Sequence, residues 1–204
     1  MFLFKSILDV LIGFVCLIFC IPIIVLIMIL VRLDSKGNPI FFQKRVGRNG
    51  AVFTIFKIRT LYVEHFGIIA EQNEPSENRI TRIGKHLRRS KLDELPQLLN
   101  IVLGQMSFVG PRPIAYEYWK LIDAPAERLA VKPGLTGLTQ VSGNLQLPWE
   151  DRIWLDVWYV RNWSIRLDIK ILLLTLHTLI KGEQPYKKNF KLHDQLPSWK
   201  KRSN

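Results

Sequence analysis

Asp93 and Glu94 stand side by side at the end of a dense run of cations. Arg79, Arg82, Lys85, Arg88, Arg89 and Lys91 all precede them within a few turns. Such a cluster suits a polyanionic ligand such as a diphosphate, because guanidinium and ammonium groups give charge-assisted hydrogen bonds to phosphate oxygens. Paired carboxylates in that setting could attack a phosphorus, hold a divalent metal, or both. The same spacing also describes a solvated basic helix followed by the acidic turn of the next one, the commoner fate of a charge run. A second stretch with chemical content is Gly110-Pro111-Arg112-Pro113. Two prolines hold Arg112 in a stiff turn at low entropic cost, as a phosphate-gripping residue needs. Alone, it is equally an ordinary turn with a surface arginine.

Local signals say which elements would carry these groups. Residues 80–89 read as a short basic helix. Ser90 with Asp93 three residues on forms a capping-box pattern, and Pro96 fits only a first helical turn. Asp93 and Glu94 are therefore predicted at a helix N-terminus, where a carboxylate pKa falls and phosphate is welcome. Gly104 closes that helix. Upstream, residues 40–45 and 51–59 are strand-like, and Asn49-Gly50 between them predicts a hairpin. Residues 61–78 are polar and irregular and read as a mobile loop.

Residues 10–31 carry no charge. As a helix they make a rod of roughly 33 Å, enough to cross a bilayer core. Lys5 and Asp9 precede the run, spaced to pair on one face. No small-residue cleavage site follows, so a signal peptide does not fit. Lys5 is the only cation before the run, whereas Arg32, Lys36, Lys44, Arg45 and Arg48 follow it. The positive-inside rule then places the bulk of the protein in the cytoplasm. Pro22 sits mid-run, where it removes a backbone donor and bends a helix. A bent segment can span, or turn back and leave by the face it entered.

Composition agrees. The 204 residues carry a net charge of +12 with a pI near 9.9, which favours an anionic partner: lipid headgroups, a nucleotide or nucleic acid. Cys16 and Cys20 lie inside the apolar run, and read as packing residues rather than a disulfide or metal site. Trp149, Trp154, Trp158 and Trp163 alternate with Arg152, Arg161 and Arg166. That mixture suits the headgroup zone, or stacking on bases. Residues 171–180 are an apolar helix too short to span, for the core or the interface.

At this point FFQKRVG (41–47), FTIFKIRT (53–60), RITRIGKHLRRSKLDELPQLLN (79–100), MSFVGPRP (106–113) and KPGLTGLTQVSG (132–143) fall into a known order. The chain resembles the small monotopic phosphoglycosyl transferases, bacterial sugar transferases that start glycan assembly on a polyprenol phosphate. The match runs from Lys5 to about Leu174. The resemblance implies an α+β membrane protein: an N-terminal re-entrant helix over 1–32 broken at Pro22, then a cytoplasmic catalytic domain over 33–182. That domain has a small β-hairpin, is mainly helical and carries interfacial amphipathic helices; 183–204 is a basic tail. In this family Asp93 would be the nucleophile and Glu94 a magnesium ligand, with Asp93 near the metal too. Arg88 and Arg112, with Lys57 and Arg59 as further candidates, would grip phosphate. Gln140, Asp156 and Tyr159 would belong to a nucleotide or sugar site.

The implied reaction passes a sugar-1-phosphate from a UDP-sugar to undecaprenyl phosphate through an aspartyl-phosphosugar, with UMP released and Mg²⁺ as cofactor. Membrane phospholipid is an expected partner, nucleic acid is not, and a homodimer stays open. The expected location is the cytoplasmic face of the bacterial inner membrane. Departures from the family pattern are Ile21 before Pro22 where serine is common, Asn144 where arginine is common, and Leu61 for methionine. The rival is a membrane-anchored anion- or nucleic-acid-binding scaffold, which has no use for carboxylates beside its arginines. The polytopic transferase class needs several apolar runs of spanning length.

Overall fold

The computed structural model describes residues 2–63 and 79–181. The predicted loop lies mostly, and the basic tail wholly, outside them. The chain opens with α1 (Phe2–Asp34), with Pro22 inside it. The break predicted at Pro22 is absent from the hydrogen-bonded helix. A proline withdraws one amide and crowds one carbonyl, and the turns on either side keep their own bonds.

One stripe of α1 meets the rest of the molecule. Lys5 Nζ is 2.5 Å from Asp168 Oδ2, and Asp9 Oδ1 accepts from the Phe108 amide at 3.4 Å. A Cβ on Gly13 would stand 3.0 Å from Ile101 Cγ2. Cys16, Leu17 and Cys20 pack against Phe53, Ile55 and Ile101, while Ile27 and Val31 join Ile58 and Leu87. Steps of three and four residues keep these positions on one face. The opposite face, including Leu3, Ile7, Leu11, Phe14, Ile18 and Ile29, is apolar and uncovered.

The predicted hairpin forms from β1 (Ile40–Val46) and β2 (Val52–Ile58), in register from Ile40 opposite Ile58 to Val46 opposite Val52. Its turn needs positive φ at Asn49 (54°) and Gly50 (80°), the left-handed values these residue types tolerate. Then come α2 (Arg82–Ser90), α3 (Gln97–Val102), β3 (Ser107–Val109), β4 (Ile114–Ala115) and α4 (Tyr116–Trp119). The chain ends its described part with β5 (Gly134–Thr136), α5 (Leu138–Val141), α6 (Trp149–Arg161) and α7 (Ile165–Lys181). β4 adds to the free edge of β1, giving the order β2-β1-β4, and β3 pairs with β5 in parallel. This is the expected mixture of helix and sheet.

Two local expectations change. Ser90 does not cap the next helix: it ends α2, and its hydroxyl donates back to the carbonyls of His86 and Leu87 at 2.9 and 3.2 Å. Thr81 is the cap that forms, accepting from the Gly84 amide at 2.9 Å. The tryptophans of the C-terminal third do not act as one set: Trp149, Trp154 and Trp158 are half-buried, and Trp158 packs against the core. Trp163 is buried and donates to Asp168 Oδ2 at 3.0 Å, and α6 buries Ile153, Leu155, Val157 and Tyr159. The apolar surface lies on α7, where Ile165, Ile169, Leu172, Leu173, Leu176 and Ile180 are exposed along one side.

The two glycine-rich blocks are pressed backbone to backbone. Gly134 N donates to Pro111 O and Gly110 N to Thr136 O, each at 3.0 Å. A Cβ on Gly134 would stand 2.1 Å from Gly110 N, so no other residue fits there. This contact fixes the turn that carries Arg112.

Candidate active site

Lys91 ends α2 in the left-handed region (φ 57°), and the chain turns there into the 3-10 segment Leu92–Glu94. Asp93 and Glu94 thus sit on a tight turn ahead of α3, close to where the sequence places them. Glu94 Oε1 accepts from Lys57 Nζ at 3.0 Å and from Arg112 Nη2 at 2.9 Å. Lys57 comes from β2 and Arg112 from the proline-flanked turn, so three separate blocks converge on one carboxylate. Burial alone would raise the Glu94 pKa. Arg112 and Lys57 outweigh it and hold the carboxyl well below the usual range. Burial pushes the Lys57 ammonium down, with Glu94 opposing.

Asp93 is different. It is buried, and its Oδ1 has no hydrogen-bond partner among the described residues. Burial first, then the negative Glu94, push its pKa up, while Lys57, Arg88 and Lys91 oppose. The expected lowering by a helix N-terminus is therefore reversed: desolvation exceeds what one short helix provides. The result is a reactive arrangement, a poorly stabilised carboxylate whose best partner would be an incoming electrophile or cation.

An orphaned buried oxygen beside a second carboxylate fits a magnesium ion. Among the described residues no three His, Cys, Asp or Glu side chains converge. Magnesium shared with substrate phosphates requires only one or two carboxylates, with water and phosphate supplying the rest.

Two cavities share Arg112, and the larger of them also reaches Glu94. One, of about 290 Å³, is bounded by Glu94, Leu95, Arg112 and Gln140, and by Leu172 and Leu179 of α7. The other, of about 90 Å³, is bounded by Arg45, Arg112, Tyr118, Arg128, Trp149 and Arg152. Arg112 and Asn144 belong to both.

The chain matches the bacterial sugar transferase family over residues 1–182. It belongs to that family. It is 43% identical over 166 residues to an uncharacterized sugar transferase, EpsL, of Bacillus subtilis (strain 168), covering 80% of this chain and 81% of that one. It is 38% identical over 192 residues to a UDP-glucose:undecaprenyl-phosphate glucose-1-phosphate transferase of Caulobacter vibrioides, covering 89% of this chain and 72% of that one. A Klebsiella pneumoniae protein of the same name is 40% identical over 182 residues, covering 85% of this chain. This chain spans only 39% of that longer relative.

The remaining site candidates of this sugar transferase divide sharply. Lys57 and Arg112 meet the dyad. Arg88 acts on Asp93 through its charge, while its Nε donates to Thr60 Oγ1 at 2.9 Å. Arg59 is already engaged: it is buried, and donates to Asn38 O at 2.7 Å and to Ser35 Oγ and O at 2.8 Å each. It ties the end of β2 to the turn after α1. Gln140 lies on the larger cavity, and both its amide heteroatoms are buried without a hydrogen-bond partner among the described residues. Tyr159 belongs to the core. Its hydroxyl reaches Asp168 Oδ1 at 2.7 Å and Val109 O at 3.1 Å, and burial raises its pKa.

Asp156 borders the smaller cavity, but its carboxylate is already engaged. Oδ2 accepts from Arg128 Nε at 2.8 Å and Nη2 at 2.7 Å, and Oδ1 accepts from Thr139 Oγ1 at 2.6 Å. Arg128 also donates to the Arg112 carbonyl. Asp156 therefore acts through Arg128 on the backbone of Arg112. Arg128 and Tyr118 carried no sequence signal, and Arg45 counted only as a cation flanking the apolar run. Trp149 and Arg152 did carry one, three residues apart on a helix, but as a membrane pattern. In the fold the Arg152 guanidinium lies 5.2 Å from the Trp149 ring, and Tyr118 meets the same ring edge-on at 5.2 Å. Asn144, the departure from the family arginine, stands where the two cavities join.

Proposed function

We propose that this sugar transferase moves a sugar-1-phosphate from a UDP-sugar to undecaprenyl phosphate, with UMP released and Asp93 as nucleophile. One observation carries this: a buried carboxylate oxygen of Asp93 without a hydrogen-bond partner among the described residues stands next to Glu94, whose partner Arg112 borders both an apolar cavity and a cationic, aromatic one. A soluble nucleotide and a lipid phosphate both need to reach the same attacking atom, and Arg112 offers each cavity a phosphate contact beside the dyad. A scaffold that only binds anions would leave the buried Asp93 without a purpose.

In the proposed reaction an Asp93 Oδ attacks the sugar-proximal phosphorus. An aspartyl O–P bond forms, the bond to the bridging oxygen breaks, and UMP leaves with the electron pair. UMP is a stable anion, so no strong general acid is required. A phosphate oxygen of the acceptor lipid then attacks the same phosphorus, the aspartyl bond breaks and the carboxylate is restored. Magnesium, when bound beside Glu94 and Asp93, would offset charge on the diphosphate. Lys57 and Arg112 hold Glu94 in place, and Arg112, on the rim of both cavities, can reach phosphate from either. The test is UMP release from a panel of UDP-sugars with undecaprenyl phosphate and Mg²⁺. Release that stops in excess chelator is the expected result. No UMP from any donor would sink the proposal.

The segment α1 enters the proposal as a monotopic anchor with both ends on the cytoplasmic side. A spanning helix leaves its middle to lipid and meets a globular domain at one end only. Here the same domain meets Lys5 and Asp9, Cys16 and Cys20, and Val31 and Asp34. The check is a cysteine at Phe2 in a variant lacking Cys16 and Cys20, exposed in intact cells to an impermeant thiol reagent. Protection until the membrane is opened is expected. Labelling from outside would show that the segment spans.

A further inference from the structure

We propose that the larger cavity seats the first isoprene units of the acceptor lipid, which enter past α7. This rests on the transfer reaction proposed above. Its walls include Leu95, Phe108, Leu135 and Val141 from the domain, and Leu172 and Leu179 from α7. Thr136, Thr175 and Thr178 line it too, yet most of the surface it exposes is hydrocarbon, which favours a prenyl chain over a nucleotide as the occupant. The charged groups on the wall are where a phosphate would be needed. Glu94 and Arg112, which touch each other, place one part of the cavity at the dyad. Gln140 adds an amide whose two heteroatoms are buried without partners among the described residues. A phosphate-headed hydrocarbon satisfies both parts.

The fold also offers a route in. Leu172 and Leu179 line the cavity and are still 38% and 43% exposed. They connect its interior with the outer apolar face of α7, formed by Ile165, Ile169, Leu173 and Leu176. That face has the character of a helix lying in the boundary between headgroups and acyl chains. Lys5 fastens the start of α1 to Asp168 in the first turn of α7, so both apolar helices are tied together at that point. A prenyl chain could therefore pass from lipid to the dyad without crossing water. The smaller cavity, with its arginines, Tyr118 and Trp149, is left to the nucleotide. The two substrates then meet at Arg112, which borders both cavities.

The test narrows the entrance. Leu172→Trp in the full-length chain, reconstituted in lipid nanodiscs, is assayed with undecaprenyl phosphate and the UDP-sugar that gives most UMP. The acceptor KM should rise about tenfold or more, the scale of one blocked apolar contact, while the UDP-sugar KM stays put. Leu172→Met should restore the acceptor KM. An unchanged acceptor KM, or an equal rise in both constants, overturns the assignment. If the wild-type chain releases no UMP at all, the transfer reaction fails, and a photoreactive prenyl phosphate decides the cavity alone. Cross-links within 172–179 and 138–141 support it, and cross-links confined to α1 overturn it.

Discussion

Asp93→Asn should remove turnover almost completely and leave the protein as stable as before, or more so. The amide keeps the size of the side chain and loses the attacking charge, so the fall should be about a thousandfold or greater. The stability side comes from the fold. Asp93 is buried, its Oδ1 has no partner, and Glu94 repels it. A neutral side chain ends that repulsion and the cost of burying a charge. Relief of a strained catalytic group commonly gives about 0.5–2 kcal/mol. The measurements are UMP release and a thermal melt on the same preparation. Near-normal turnover would remove the covalent role, and a clearly lower Tm would make Asp93 a structural residue.

Glu94→Gln should do the reverse on stability and also damage activity. Glu94 Oε1 is shared by Lys57 and Arg112, so loss of its charge leaves two cations facing each other beside a buried amide. Removing one partner of a buried pair costs about 3–5 kcal/mol. The Arg112 side chain is 42% exposed and can find water, which lowers the expected loss to roughly 2–3 kcal/mol. For a domain of this size that is a fall in Tm of very roughly 5–10 °C. Turnover should drop by about a hundredfold or more, since Arg112 loses its anchor and the proposed metal a ligand. An unchanged melting curve would mean that Lys57 and Arg112 do not depend on Glu94, contrary to the geometry.

The two variants differ because the neighbouring carboxylates have opposite surroundings. Glu94 is paired with cations, and Asp93 is not. Paired acids whose environments separate their pKa values are a recurrent way to divide roles between similar groups. Here the division follows from which blocks meet at the turn, not from the two residues themselves.

Much of the architecture could be read from short-range pattern. Asn49-Gly50 between alternating runs specifies the hairpin, since only a few residue types accept consecutive left-handed positions. The uncharged run over 10–31 specifies a long apolar helix, and the ordered blocks place the dyad on a turn before a helix. These features depend on residues within about a turn of one another. The contacts that give the site its character do not. Glu94 finds Arg112 across 18 positions and Lys57 across 37, and Lys5 finds Asp168 across 163. For that reason the existing partners of Arg59 and Tyr159 were invisible in the sequence. Residue type suggests a charge or a hydroxyl, but only packing shows that Ser35, Asn38 and Asp168 already use it. The tryptophans misled in the same way, because a ring and an arginine on one helix look alike at a membrane, in a core or around a cavity. Even the pKa direction of Asp93 was settled by burial, which no run of neighbours encodes. Local chemistry determined where the reactive groups stand along the chain, and the enclosure made by distant segments determined what each of them can do.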